Sequence, residues 1–350
     1  MELLPGVRAR MVSTGRLRTH LLESGPDTGT PLVLVHGNLS TGRFFEHLMP
    51  DLAGAGYRAL APDMRSFGRS EAAPIDATRG LDDWADDIAA LLAALGIAAS
   101  VHLVGWSTGG AAIARFAQLH QAASLTLIDP VSPFGYGGVR DDGSLIHHDA
   151  AGSGAAGIAA EFVQRLRDHD TSADSPLSPR TFLREAYWSP HHRLSPDRED
   201  LLVEEILMSA LGDGGYPGSA QTSPNWPGFA PGDSGILNAL SPKYLRWDSI
   251  IELDPKPPVL WVHGTDDVLV ADESMLETGT LGKTGAIEGW PGEEQFPPQR
   301  MVSQIRTVLD RYAAAGGRLQ TELFEGSGHG PHIDAQDRFT AVLCRFLTSV

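Results

Sequence analysis

The sequence has only one cysteine, Cys344, so no internal disulfide can form. Its helix-like surroundings suggest a small packed apolar residue rather than a reactive thiol. Basic residues are scarce: 27 Lys and Arg stand against 44 Asp and Glu, a net charge of −17. That balance argues against nucleic acid or an anionic membrane as the main partner. No apolar run approaches the ~18 residues of a membrane span, and MELLPGVRARMVSTG lacks the continuous apolar stretch of a secretory signal. The expectation is a cytoplasmic protein without membrane insertion. There is no Walker loop, and no G-x-G-x-x-G follows the first buried strand, so no nucleotide cofactor is expected. H-E-x-x-H is also missing. His147-His148 and His191-His192 are adjacent pairs whose rings point apart, so no metal is expected either. Internal repeats and heptads are absent.

What is present is an alternation. Hydrophobic residues make up 42% of the chain, enough for a sizeable core. Residues 7–12 and 17–24 flank a Thr14-Gly15 turn and predict a hairpin. Short apolar runs at 31–38, 57–62, 101–106, 124–128, 259–264 and 319–325 predict buried strands. Helical spacing covers 44–56, 81–95, 111–120, 300–315 and 334–349. Strands alternating with helices imply an α/β fold with a doubly wound, mostly parallel sheet. Two stretches break the pattern. Residues 131–257 carry Gly- and Pro-rich clusters among helical pieces at 159–167 and 199–211, too long for one loop in a compact domain. They predict a helical cap inserted between core segments 1–130 and 258–350. Residues 271–299 predict a smaller loop insertion, with Trp290 and Phe296 expected at its surface.

The run VHLVGWSTGG, residues 101–110, joins a predicted strand to a predicted helix through Gly105-Trp106-Ser107-Thr108-Gly109. This fits G-x-S-x-G, in which the chain turns so sharply that the serine sits in a strained conformation with its Oγ exposed. Side chains in place of the flanking glycines would collide with the strand or helix being passed. A serine needs a base to take its proton and an acid to hold that base. Glu325-Gly326-Ser327-Gly328-His329-Gly330 follows the last predicted strand and offers His329 at the carboxyl edge of the sheet, where ligands bind in such folds. His332 is its competitor, turned aside by Pro331 and the start of a helix. For the acid, Asp267 is preferred. Asp129 and Asp266 also follow strand ends and are alternatives, with turn or strand-end roles as their structural readings.

These residues resemble the α/β-hydrolase fold superfamily, over roughly 7–130 and 258–350. The order Ser107, Asp267, His329 is the family order. HGN at 36–38 resembles the family's oxyanion loop, DMRSFGRS its D-x-x-x-x-G-x-S turn, and GTDDVLV and GSGHGPH its acid and histidine loops. The resemblance implies that the backbone amides of Asn38 and Thr108 form an oxyanion hole, and that His36, Asp63 and Ser70 organise loops. It implies a cofactor-independent serine hydrolase cleaving a small-molecule carboxylic ester with an apolar or bulky part. Amide, lactone and thioester cleavage with the same triad, or a homologue that binds without turnover, are the alternatives. Haloalkane dehalogenases and epoxide hydrolases of this fold use an aspartate nucleophile, unlike Ser107, and HGNLS lacks the HGGPG of proline iminopeptidases. Phe134, Tyr136, Tyr187, Trp188, Tyr216, Trp226 and Phe229 in the cap are expected chiefly to pack, although the same residue types could line an acyl pocket.

Overall fold

A computed structural model describes residues 2–350. Its centre is an eight-stranded sheet built from β1 (Val7–Ser13), β2 (Arg18–Ser24), β3 (Thr30–Val35), β4 (Tyr57–Pro62), β5 (Val101–Trp106) and β6 (Ala122–Ile128). A two-stranded hairpin, β7 (Ala220–Thr222) and β8 (Phe229–Pro231), lies outside it, and β9 (Val259–Gly264) and β10 (Leu319–Phe324) complete the sheet. The order is β1-β2-β4-β3-β5-β6-β9-β10. β1 and β2 form the predicted hairpin, β2 runs antiparallel to β4, and every later pair is parallel. In the centre, Leu32, Val33, Leu34 and Val35 are fully buried, as are Leu103 and Val104 beside them. A strand covered on both faces needs apolar residues at successive positions, hence the continuous runs in the sequence.

Helices α1 (Met49–Gly54), α2 (Asp82–Ala94) and α3 (Thr108–Leu119) flank the first half. Between β6 and β9 lie α4 (Ala160–Arg167), α5 (Pro179–Phe182) leading into a π-helical turn at Leu183–Tyr187, α6 (Pro196–Ile206) and α7 (Ile236–Ala239). The carboxyl half adds α8 (Thr278–Lys283), α9 (Met301–Ala314), α10 (Pro331–Asp334) and α11 (Gln336–Thr348). No helix among the described residues is long and apolar enough to cross a membrane. Cys344 is half-buried against the core.

Several boundaries differ from the sequence reading. β3 stops at Val35, and residues 36–38 belong to the following loop. α6 begins at Pro196, earlier than the expected 199, because Ser195 caps it through the Arg198 amide and proline suits the first helical turn. It ends at Ile206 rather than 211, since the chain then folds back and Ala210 N–H donates to Ser66 O. The insertion at 271–299 contains α8, capped by the Glu277 carboxylate through the Gly279 and Thr280 amides. Phe296 is fully buried rather than exposed. Its ring meets Trp226 at 4.7 Å and abuts Gly152, where a Cβ would lie 2.6 Å from Phe296. Trp290 is half-buried, its indole N–H donating to Phe296 O.

Candidate active site

The turn from β5 into α3 has the sharpness that the sequence demands. Ser107 adopts φ +56°, a left-handed conformation that costs a non-glycine residue about 1–3 kcal/mol. A Cβ on Gly105 would strike the Gly109 carbonyl, and one on Gly109 would strike the Val35 carbonyl of the neighbouring strand. Glycine is therefore required on both sides. Ser107 N–H donates to Ile128 O at 2.9 Å, which fixes the turn on the strand beside it. As the first residue of α3, Thr108 has an amide with no intrahelical acceptor, and nothing among the described residues takes its place.

The acid and histidine loops meet across adjacent strand ends. His329 Nδ1 lies 2.8 Å from Asp267 Oδ2, and Asp267 Oδ1 accepts from the amides of Leu269 and Val270 at 2.8 and 3.1 Å. With the carboxylate held on both oxygens, the ring has one orientation. Burial opposes a charge on His329, but the Asp267 carboxylate, with Asp129 behind it, more than offsets this and holds the imidazole above its ordinary range. Trp106 pins the same loop from the other side: its indole N–H donates to the His329 carbonyl at 2.6 Å. Ser107 and His329 line one cavity without a hydrogen bond between them, a contact that commonly tightens only in a complex.

The other acids go elsewhere. Asp266 stays on its turn, its amide donating to Ser327 O. Asp129, fully buried at φ +41°, accepts the Gly264 amide at 3.0 Å and faces His263 Nδ1 at 2.6 Å, too far out of line for a hydrogen bond. Burial pushes the Asp129 carboxyl up. Burial also works against a proton on His263, but Asp129 outweighs it and the imidazole titrates above its usual range. Asp129, His263 and Asp267 cluster closely enough to suggest a cation. Asp267, however, is already committed on both oxygens, to His329 and to two amides. A metal would have to displace the histidine's partner. His332 is boxed by Phe45, Trp106 and Phe339 at 4.9, 5.1 and 6.0 Å, and burial drives its pKa down to about 3. It is a neutral neighbour of the site, with no hydrogen bond to the acid.

The loop 36–41 is aimed by a relay. Met64 N–H donates to His36 Nε2 at 2.9 Å, so the ring proton sits on Nδ1, 2.7 Å from the Gly37 carbonyl. Burial lowers the His36 pKa to about 4, so this neutral tautomer persists. Ser40 Oγ donates to the same carbonyl at 2.9 Å. In a trans peptide the C=O and N–H point in opposite directions, so anchoring Gly37 O turns the Asn38 N–H away from His36. That amide has no acceptor among the described residues. Asp63 holds the adjoining turns, accepting from the Gly42 and Arg69 amides and facing His20 at 2.8 Å. Ser70 Oγ donates to Asp63 O.

Above Ser107 opens a cavity of about 340 Å³. Of the seven aromatic residues singled out in the sequence, Tyr136, Tyr187, Tyr216 and Phe229 line it, joined by Phe162 and Phe182. Phe134 instead packs under the Arg246 guanidinium, Trp188 against the histidine loop and Trp226 on Phe296. No Lys, Arg, Asp or Glu reaches the lining. Burial raises the phenols of Tyr136, Tyr187 and Tyr216, which stay protonated.

The sheet order, the strained serine on its elbow and the histidine loop after the last strand form one architecture, and a model of the alpha/beta hydrolase family matches residues 32–342. The chain belongs to the alpha/beta hydrolase family. A haloalkane dehalogenase of Mycobacterium marinum is 45% identical over 58 residues, 17% of this alpha/beta hydrolase and only 20% of that relative's length. A non-heme haloperoxidase of Rhodococcus erythropolis is 37% identical over 269 residues, 76% of this chain and 85% of that protein. An esterase of Exiguobacterium antarcticum shares the fold with a TM-score of 0.60 at 17% identity, over 97% of this chain and 100% of its own. The His263–Asp129 contact and the Trp106 and Tyr187 hydrogen bonds were not foreseen from the sequence. Their partners lie far along the chain and carry no local signal.

Proposed function

We propose that this alpha/beta hydrolase is a serine esterase working through an acyl-enzyme. The observation that carries the reading is that Ser107, strained on its elbow, and His329, hydrogen-bonded to Asp267, open on the same uncharged cavity. In the first half-reaction Ser107 Oγ attacks the ester carbonyl while His329 Nε2 takes its proton. Asp267 steadies the imidazolium that forms. The carbonyl oxygen, now an anion, lies between the free amides of Asn38 and Thr108. The intermediate collapses: the C–O bond to the alcohol breaks, His329 returns its proton to the leaving oxygen, and the acyl group stays on Ser107. Water enters by the same route, giving its proton to His329, and the carboxylic acid departs with Ser107 reprotonated. The apolar lining favours an uncharged acyl or alcohol part of some bulk.

Ser107→Ala tests this directly. Turnover of p-nitrophenyl butyrate should fall by on the order of 10⁵–10⁶, and fluorophosphonate labelling should vanish. A variant that kept either would sink the mechanism. Matched ester, lactone, thioester and amide substrates compared by kcat/KM should rank the ester first.

A further inference from the structure

We infer that Tyr187 is a positioning residue, a cap phenol that fixes the Asn38–Leu39 peptide and makes the aim of the oxyanion loop depend on the cap. The inference rests on the serine-esterase reading above. The Asn38 N–H lies in the Gly37–Asn38 peptide plane, and the Asn38–Leu39 plane that meets it at the Asn38 Cα restrains that plane from the other side of the loop. The core secures the first, through His36 and Ser40 on the Gly37 carbonyl. The second is secured from the insertion: the buried Tyr187 hydroxyl donates to the Asn38 carbonyl at 2.7 Å, with Leu39 O at 3.4 Å. Leu39 adopts φ +44°, a conformation that a leucine holds only when its surroundings impose it.

Tyr187 is itself fixed. It closes the π-helical turn, an irregularity that re-aims a side chain relative to the helix before it. Its ring stands edge-on to Trp106 at 5.1 Å and meets Phe44 at 6.2 Å. Nearby, the insertion is tied to the same loop region by buried polar contacts. Thr41 Oγ1 donates to Glu205 at 2.7 Å, and Arg198 reaches Glu46 at 3.1 Å and the Arg43 carbonyl at 2.7 Å. This part of the cap is thus an anchored component of the catalytic floor.

Tyr187→Phe keeps the ring in its packing and removes only the donor. The expected result is a fall of tenfold or more in kcat, with KM for p-nitrophenyl butyrate within about threefold of wild type. Affinity for an alkyl boronic acid, which places an oxyanion in the site, should weaken by the same factor as kcat. Site-specific 3-fluorotyrosine at 187, which keeps a donor, should restore kcat. Thermal melting and the fraction labelled by fluorophosphonate report that each variant is folded. Unchanged kcat in a labelled, folded Tyr187→Phe enzyme overturns the inference, as does a rise in KM alone, which would make the phenol a substrate contact. If wild-type Ser107 neither labels nor turns over esters, the esterase reading falls and this inference with it.

Discussion

At the scale of single residues, the site is defined by which hydrogen bonds each ring and carboxylate already has. His329 can act as a base only when neutral, and its partners hold it above the ordinary histidine range. The acid limb of kcat/KM should therefore lie above about pH 6.5, with activity falling as pH drops through it. A pH–rate profile checks this, and a limb at or below that value would contradict it. Asp267→Asn should lower kcat by roughly 10³–10⁴, because the amide can favour the wrong tautomer of the ring it touches. That Ser107, Asp267 and His329 belong to one candidate site was legible in the sequence, because each stands in a glycine-rich or strand-terminal context that few other roles require. Between Asp267 and Asp129 the sequence supported a preference for Asp267 but no decision. Both follow strands, and only the geometry of neighbouring strands puts one beside His329 and the other beside His263.

At the scale of elements, the insertion between β6 and β9 is held to the core by charges placed where water is scarce. The Arg198 side chain is 7% exposed and its partner Glu46 is 1% exposed. Removing one member of such a pair leaves the other buried with less than its due. Glu46 keeps Arg43 at 3.0 Å and the Leu4 amide, which places the expected cost at the lower end. Arg198→Ala should destabilise the protein by about 3 kcal/mol, read from the midpoint of urea unfolding. A midpoint that does not move would mean the contact contributes nothing net. The sheet strands and the flanking helices α2, α3 and α9 were readable from periodicity, since burial on one or both faces writes itself into residue order. Within the insertion between β6 and β9 the sequence showed only the two longest helices, at 159–167 and, with shifted ends, at 199–211. The other helices there and in the second insertion, 271–299, are short, caps such as Ser195 and Glu277 are polar residues of common type, and Phe296 finds its burial against a glycine far away in sequence.

At the scale of the whole molecule, a chain with net charge −17 encloses a cavity lined by no Lys, Arg, Asp or Glu. Outside and inside both disfavour anionic substrates: the surface repels them, and the acyl region of the cavity offers a second carboxylate no Lys or Arg partner once it leaves water. Esters of butyrate should exceed hemisuccinate esters of the same alcohol by at least about 100-fold in kcat/KM, measured at physiological ionic strength. Comparable values would imply that the acyl part lies outside the cavity. The tether from the Trp106 indole to the His329 carbonyl carries a different consequence, one for biosynthesis. The residues it joins are made 329 − 106 = 223 positions apart. At roughly 5–20 residues per second, the elbow waits some 10–45 s on the ribosome for the loop that completes it. A nascent chain that stops short of residue 329 holds the serine elbow and most of the sheet without the histidine that the proposed mechanism needs, so any activity by that mechanism would begin only once this loop has been made.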